Sequence, residues 1–195
     1  MPITVAIIQA RMGSSRLPGK VLMDINGKPM IHHVIERTLK AIPEVILAIP
    51  NLSQDDVLAH ACRDMGVRIY RGHPTDVLCR YIKAAQEVEA DKIIRVTGDC
   101  PIIEPNVISH VEDRLTEQYD YASNLYPRSY PKGLDCEALW FDTLLRLDRI
   151  SEPQDREHVT SFIGRNQSLF RIANVIDNRS VDTQADLDAV RHWMK

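Results

Sequence analysis

Blocks of apolar residues alternate with helical patterns almost from the start of the chain. Residues 3–10 are nearly free of polar side chains, as expected of a strand covered on both faces of a sheet. Met30, Ile31, Val34, Ile35, Thr38 and Leu39 recur at helical spacing and mark one face of a helix. Residues 44–49 read as a second strand. Ser53 is placed to cap a helix running to about Met65, with Asp55 and Asp56 in its first turn. Residues 67–70 form a third strand. Val77, Leu78, Tyr81, Ile82, Ala85 and Val88 then line another helix, and residues 92–96 form a fourth strand ending at Thr97-Gly98-Asp99. The first hundred residues therefore predict β-α-β-α-β-α-β. That is a parallel sheet wrapped by helices, with ligands expected at the strand C-termini.

The rest of the pattern is less regular. Pro105 opens a helix carrying Val107, Ile108, Val111 and Leu115. Residues 119–124 read as a strand, 124–133 as a loop rich in Tyr, Pro and Arg, and 136–141 as another strand. Helical stretches at 143–149 and 155–165 precede a strand at 168–175. A last helix follows Asp182-Thr183, with Leu187, Val190 and Met194 on its inner face. Trp140 and Trp193 read as core. No repeat, low-complexity tract or linker interrupts the pattern, so one domain over residues 1–195 is expected.

Composition narrows the class. Apolar content of 44% and charged content of 26% are ordinary for a soluble globular protein. A net charge of −3 gives no support for nucleic-acid or membrane partners. No apolar run reaches transmembrane length, and the N-terminus has no basic leader, so a cytoplasmic location is expected. Cys62, Cys79, Cys100 and Cys136 are widely spaced, which fits reduced thiols better than a zinc site or disulfides.

Against this background, residues 11–28 concentrate positive charge. Arg11, Arg16, Lys20 and Lys28 sit among Gly13, Ser14, Ser15 and Gly19, directly after the first strand. Small residues let backbone N–H groups approach an anion, and the cations neutralise it. An Arg fork matches phosphate oxygens, and Lys is a mobile point charge. The loop is not a Walker P-loop, because Val21 follows Lys20 where Ser or Thr would ligate magnesium, and no G-x-G-x-x-G occurs. A polyphosphate bound here calls for magnesium and carboxylates. Asp99 is the first candidate and Asp182 the second, although Asp182 also suits the N-cap of the final helix. The D-x-D at Asp186 to Asp188 lies inside that helix and reads as a solvated face.

Six motifs carry a more specific resemblance. They are Ile8 to Lys20, then Asn26-Gly27-Lys28-Pro29-Met30, Arg71 to Leu78, Arg95-Val96-Thr97-Gly98-Asp99-Cys100-Pro101-Ile102-Ile103-Glu104-Pro105, Asp155 to Thr160, and Val181-Asp182-Thr183 near the C-terminus. In this order they resemble the cytidylyltransferase family of acylneuraminate and 3-deoxy-manno-octulosonate enzymes, closest to its spore-coat polysaccharide biosynthesis branch. The resemblance implies a three-layer α/β/α sandwich of the nucleotide-diphospho-sugar transferase kind. Its nucleotide-binding half would be residues 1–104, and its sugar-binding and dimerisation half residues 105–195.

It also implies roles for individual residues. Arg11, Arg16, Lys20 and Asp99 would be catalytic, with Mg2+ on Asp99 and Asp182. Ala10, Met12, Gly13, Ser14 and Ser15 would join the cations around the triphosphate. Arg71, Asp76, Arg80, Thr97 and Gly98 would complete the nucleotide site. The acceptor side is read from the residues themselves: Tyr126, Lys132, Asp135 and Glu137 can bond sugar hydroxyls or simply belong to a surface loop, and Glu157 and His158 can contact the sugar or stand on a helix surface. The implied reaction moves CMP from CTP, or another nucleotide from its triphosphate, to a sugar acid or sugar phosphate, with a homodimer as the assembly. Acylneuraminate enzymes lack the Gly-Asp-Cys-Pro seen here, which points away from sialic acid. A sugar-1-phosphate nucleotidyltransferase, a glycosyltransferase using a nucleotide sugar, and an inactive binding module remain the alternatives.

Overall fold

A computed structural model describes residues 2–177 of the chain. The helix expected after Asp182, together with Asp182, Trp193 and the D-x-D, lies outside the described residues. Four parallel strands form the first half of the sheet: β1 (Thr4–Gln9), β4 (Val45–Pro50), β5 (Arg68–Gly72) and β6 (Lys92–Thr97). Between β1 and β4, a hairpin of β2 (Asp24–Ile25) and β3 (Lys28–Pro29) leads into α1 (Met30–Leu39). Helices α2 (Asp56–Ala61) and α3 (Val77–Gln86) follow β4 and β5. After β6 come α4 (Pro105–Arg114), β7 (Tyr121–Ser123), β8 (Glu137–Trp140), α5 (Phe141–Ile150), α6 (Ser161–Arg165) and β9 (Ile172–Asn174).

The seven-stranded sheet runs β5-β4-β1-β6-β8-β7-β9, with β8 alone antiparallel to its neighbours. Its central strands are buried on both faces, which explains their continuous apolar sequence. Ala6, Ile8, Leu47, Ile49, Ile94 and Val96 pack toward α1, α2 and α4. Val5, Ile7, Ile46, Ala48, Ile93 and Leu139 pack toward α3 and α5. The alternation of side chains along each strand thus builds two apolar layers and a three-layer α/β/α sandwich. No helix among the described residues is long and apolar enough to cross a membrane.

Several expected elements are corrected. The helix read from Ser53 to Met65 is a 3-10 turn over Ser53–Asp55 followed by a short α2, and Ser53 makes no cap. The turn forms because Asp55 is drawn inward, fully buried, to bond a distant backbone N–H. The helix read over 155–165 is a 3-10 turn at Pro153–Asp155 and then α6, interrupted at Val159, whose φ is +55°. A helix cannot pass through that conformation. The strand read over 168–175 contracts to β9, after a 3-10 turn at Gln167–Leu169.

Candidate active site

Strands β1 and β6 are direct neighbours, and Gln9 stands opposite Thr97 in their register. The cationic loop after β1 and the Asp99 turn after β6 therefore leave the sheet side by side. Gly98 makes the closeness possible. A Cβ there would lie 2.8 Å from the Ala10 Cβ, 3.0 Å from the Gln9 carbonyl oxygen and 3.0 Å from Ile31. Gly98 N–H donates to the Gln9 carbonyl at 2.8 Å, which ties the two turns together.

The loop itself is folded by a few anchors. Buried Asp55 accepts from the Met12 N–H at 2.7 Å, and the Met12 carbonyl accepts from Ser14 and Gly19 N–H, both at 2.9 Å. Gly19 closes the loop with φ +71°, a conformation open to glycine at little cost.

A cavity of about 270 Å³ opens between these turns. Ala10, Arg11, Ser14, Ser15, Arg16 and Lys20 form one wall, and Thr97, Gly98 and Asp99 another. Arg80 from α3 and Arg95 from β6 form the floor with Gln9, while Glu157 and His158 close the far side. Twelve residues expected at the nucleotide or acceptor site thus meet around one cavity.

Two pairs of the cavity's charges are already engaged with each other. Arg11 donates to Glu157 at 2.7 Å, and Lys20 pairs with Asp99. Burial alone would push the Asp99 carboxyl upward. Hydrogen bonds from Lys20 and Thr97, with the Lys20 charge, outweigh it and hold the group below the usual carboxylate range. Asp99 is therefore an anionic hard-oxygen donor at neutral pH. Among the described residues no group of three acidic, His or Cys side chains gathers around it.

Behind the floor, Arg95 faces Glu137 across the β6–β8 register, and the two form an ion pair. Glu137 is 2% exposed and also accepts from Tyr121 Oη at 2.5 Å and Thr160 Oγ1 at 2.6 Å. Burial opposes the Arg95 charge, but Glu137 more than offsets it and raises the guanidinium above its ordinary value.

Other expected site residues stand apart from the cavity lining. Arg71 binds the Leu52 carbonyl at 2.8 Å and pairs with Asp56. Asp76 caps α3 through Cys79 N–H at 2.8 Å and accepts from Arg156 at 2.6 Å. Asp135 is paired with Arg128, Tyr126 packs beside Tyr121, and Lys132 is exposed. Met12 holds the loop through its backbone bonds, and Gly13 is exposed beside the Gln54 side chain. All four cysteines are free thiols. Burial raises Cys100, so its nucleophilic thiolate form is disfavoured.

Gln9, Val21, Val77 and Arg95 line the cavity without having been read as site residues from sequence, and Asp55 was read as a first-turn helix residue rather than as the anchor of the loop. For Gln9 and Arg95 a signal existed: each is a polar side chain in an otherwise apolar, doubly covered strand.

Comparison with known proteins agrees with this geometry. The cytidylyltransferase family description matches residues 5–194. The spore coat polysaccharide biosynthesis protein SpsF of Bacillus subtilis is 32% identical over 175 residues, covering 85% of this chain and 72% of the relative. A cytidylyltransferase structure from Leptospira borgpetersenii superposes with a TM-score of 0.88 at 27% identity, covering 98% of this chain and 86% of that one. CMP:2-keto-3-deoxy-manno-octonic acid synthetase, in a structure complexed with CTP, superposes with a TM-score of 0.70 at 26% identity, covering 98% of both chains. The strand-end cavity, its cationic loop and these likenesses agree: the chain belongs to the cytidylyltransferase family and is a nucleotidyltransferase.

Proposed function

We propose that this chain transfers CMP from CTP to a sugar acid or sugar phosphate, releasing pyrophosphate, in the cytoplasmic assembly of a surface polysaccharide or related glycan. The observation that carries the reading is the meeting of the Arg11–Lys20 loop and Asp99 at the ends of adjacent strands, around one cavity. An acceptor oxygen, the hydroxyl of a sugar acid or a phosphate oxygen of a sugar phosphate, attacks the α-phosphorus in line, a hydroxyl's proton is lost to solvent or base, and the bond to the pyrophosphate oxygen breaks. No protein nucleophile is needed. The chain's contribution is positioning and charge neutralisation.

Arg16, exposed on the loop, and Arg11 and Lys20, which exchange their internal partners for phosphate oxygens, stabilise the departing pyrophosphate. Released from Arg11, Glu157 lies with His158 on the acceptor side of the cavity. Residues 105–195 supply that side and the proposed dimer contact. Asp99 fits a divalent cation, magnesium in this proposal. Such an ion takes one or two carboxylates, with Asp182 as the second, and completes its shell with phosphate oxygens and water. When bound, the ion neutralises phosphate charge and acidifies a coordinated hydroxyl.

The test is pyrophosphate release with magnesium, presenting CTP, UTP, dTTP, ATP and GTP with a panel of sugar acids and sugar phosphates. Release with CTP and one acceptor is expected. Asp99→Asn should lower turnover by at least a hundredfold while leaving the circular dichroism spectrum unchanged. Full activity in that variant, or release with another nucleotide alone, overturns the reading.

A further inference from the structure

Arg80 is buried with no carboxylate to balance it. It is 2% exposed and lines the cavity floor. Its Nη1 donates to the carbonyls of His73 at 2.8 Å and Pro74 at 3.0 Å, and its Nε is buried without a partner. The neighbouring cations differ: Arg11 has Glu157, Lys20 has Asp99, and Arg95 has Glu137. Among the described residues no acid lies within ion-pair distance of Arg80. Asp55 and Asp76 act on it only at longer range, and both are committed elsewhere, to Met12 N–H and to the α3 cap with Arg156. Arg11 adds a like charge.

A guanidinium stays charged even here, so the arrangement costs stability in the free protein. The chain nevertheless builds a seat for it. A Cβ at Gly72 would lie 2.9 Å from the Arg80 Cγ and 2.6 Å from the Tyr70 ring, so the stem passes where glycine leaves room. Bonds to His73 and Pro74 steady the β5–α3 loop, but a neutral donor would serve for that. Loop stapling explains neither the unbalanced charge nor its place on the cavity wall.

We propose that Arg80 is a phosphate receptor at the cavity floor, and that the counter-charge missing from the free protein is supplied by a phosphate group of the bound nucleotide. The proposal rests on the nucleotidyltransferase reading above and narrows the nucleotide-site role expected of Arg80 to the phosphates. The free protein carries an electrostatic cost that binding removes, so function and stability oppose each other at this position.

The test compares wild type, Arg80→Met and Arg80→Gln by thermal melting and by calorimetric titration with CTP, CMP and inorganic pyrophosphate, all with magnesium. Without ligand, the Met variant should melt at or above the wild-type temperature, while its affinity for at least one phosphate ligand falls tenfold or more. Loss with CMP places the contact at the α-phosphate, and loss with pyrophosphate alone places it at the leaving group. If Arg80→Met does not fold, Arg80→Gln carries the same comparison, since it keeps an N–H donor for the two carbonyls. Unchanged affinities overturn the proposal and leave Arg80 a loop staple. Failure of wild type to bind any of the three overturns the nucleotide reading itself.

Discussion

Replacing Glu137 with Gln separates two roles for that residue. The substitution keeps Oε1 for Tyr121 and Thr160 but turns an amide donor toward Arg95, so the loss falls on the ion pair. Removing one partner of a buried pair costs about 3–5 kcal/mol, because the other charge is left uncompensated. Arg95 retains 12% side-chain exposure at the cavity, where water can reach it, so the lower figure applies. For a chain of 195 residues, about 3 kcal/mol corresponds to a Tm decrease of roughly 6–12 °C. Urea unfolding followed by circular dichroism reads the free energy, and scanning calorimetry the temperature. The double variant Arg95→Met with Glu137→Met should recover much of the loss, because no charge is then stranded. A Glu137→Gln protein as stable as wild type, with only its acceptor KM raised, would refute this reasoning and return Glu137 to the acceptor site expected from sequence.

Other outcomes follow from the same structure. Gly98→Ala pushes a methyl group into Ala10, Gln9 and Ile31, so it should cost about 1–3 kcal/mol in urea unfolding and sharply weaken CTP binding by calorimetry. Asp55→Ala leaves the Met12 N–H unpaired, at about 1–3 kcal/mol, and should raise the KM for CTP severalfold in the pyrophosphate assay. Asp155 is held low first by hydrogen bonds from Arg165, and Asp99 and Asp120 are held low despite burial by Lys20 with Thr97 and by Arg171. Depressed carboxylates contribute fully above their unfolded pKa, near 3.9, and lose that contribution as pH falls through their folded values. Melting temperature should therefore drop below about pH 4, and Asp155→Asn should flatten that slope.

The legible part of the fold was the part in which local pattern and tertiary role coincide. Strands covered on both faces, such as β1 and β4, announce themselves by unbroken apolar runs, and α1 and α3 by their spacing. The β2–β3 hairpin was missed although Asn26-Gly27, both at positive φ, is a strong turn signal; strands of two residues leave no alternation to read. Helix lengths failed where a distant partner intervened, as Met12 does for Asp55. At the site, the cations were visible because they cluster in sequence. Arg95 and Gln9 join them only through strand register, and the Glu137 network links residues that no local spacing relates.

The adjacency of β1 and β6 has a consequence for how the protein yields to heat. These strands are the middle of the sheet, and their amides open only when the whole sheet does. The cationic loop and Asp99 hang from them, so the grip on nucleotide should persist almost to the global transition. The Glu157–His158 wall hangs instead between a 3-10 turn and a five-residue helix. Its amides should exchange with deuterium first, and on warming the protein should stop transferring before it stops binding.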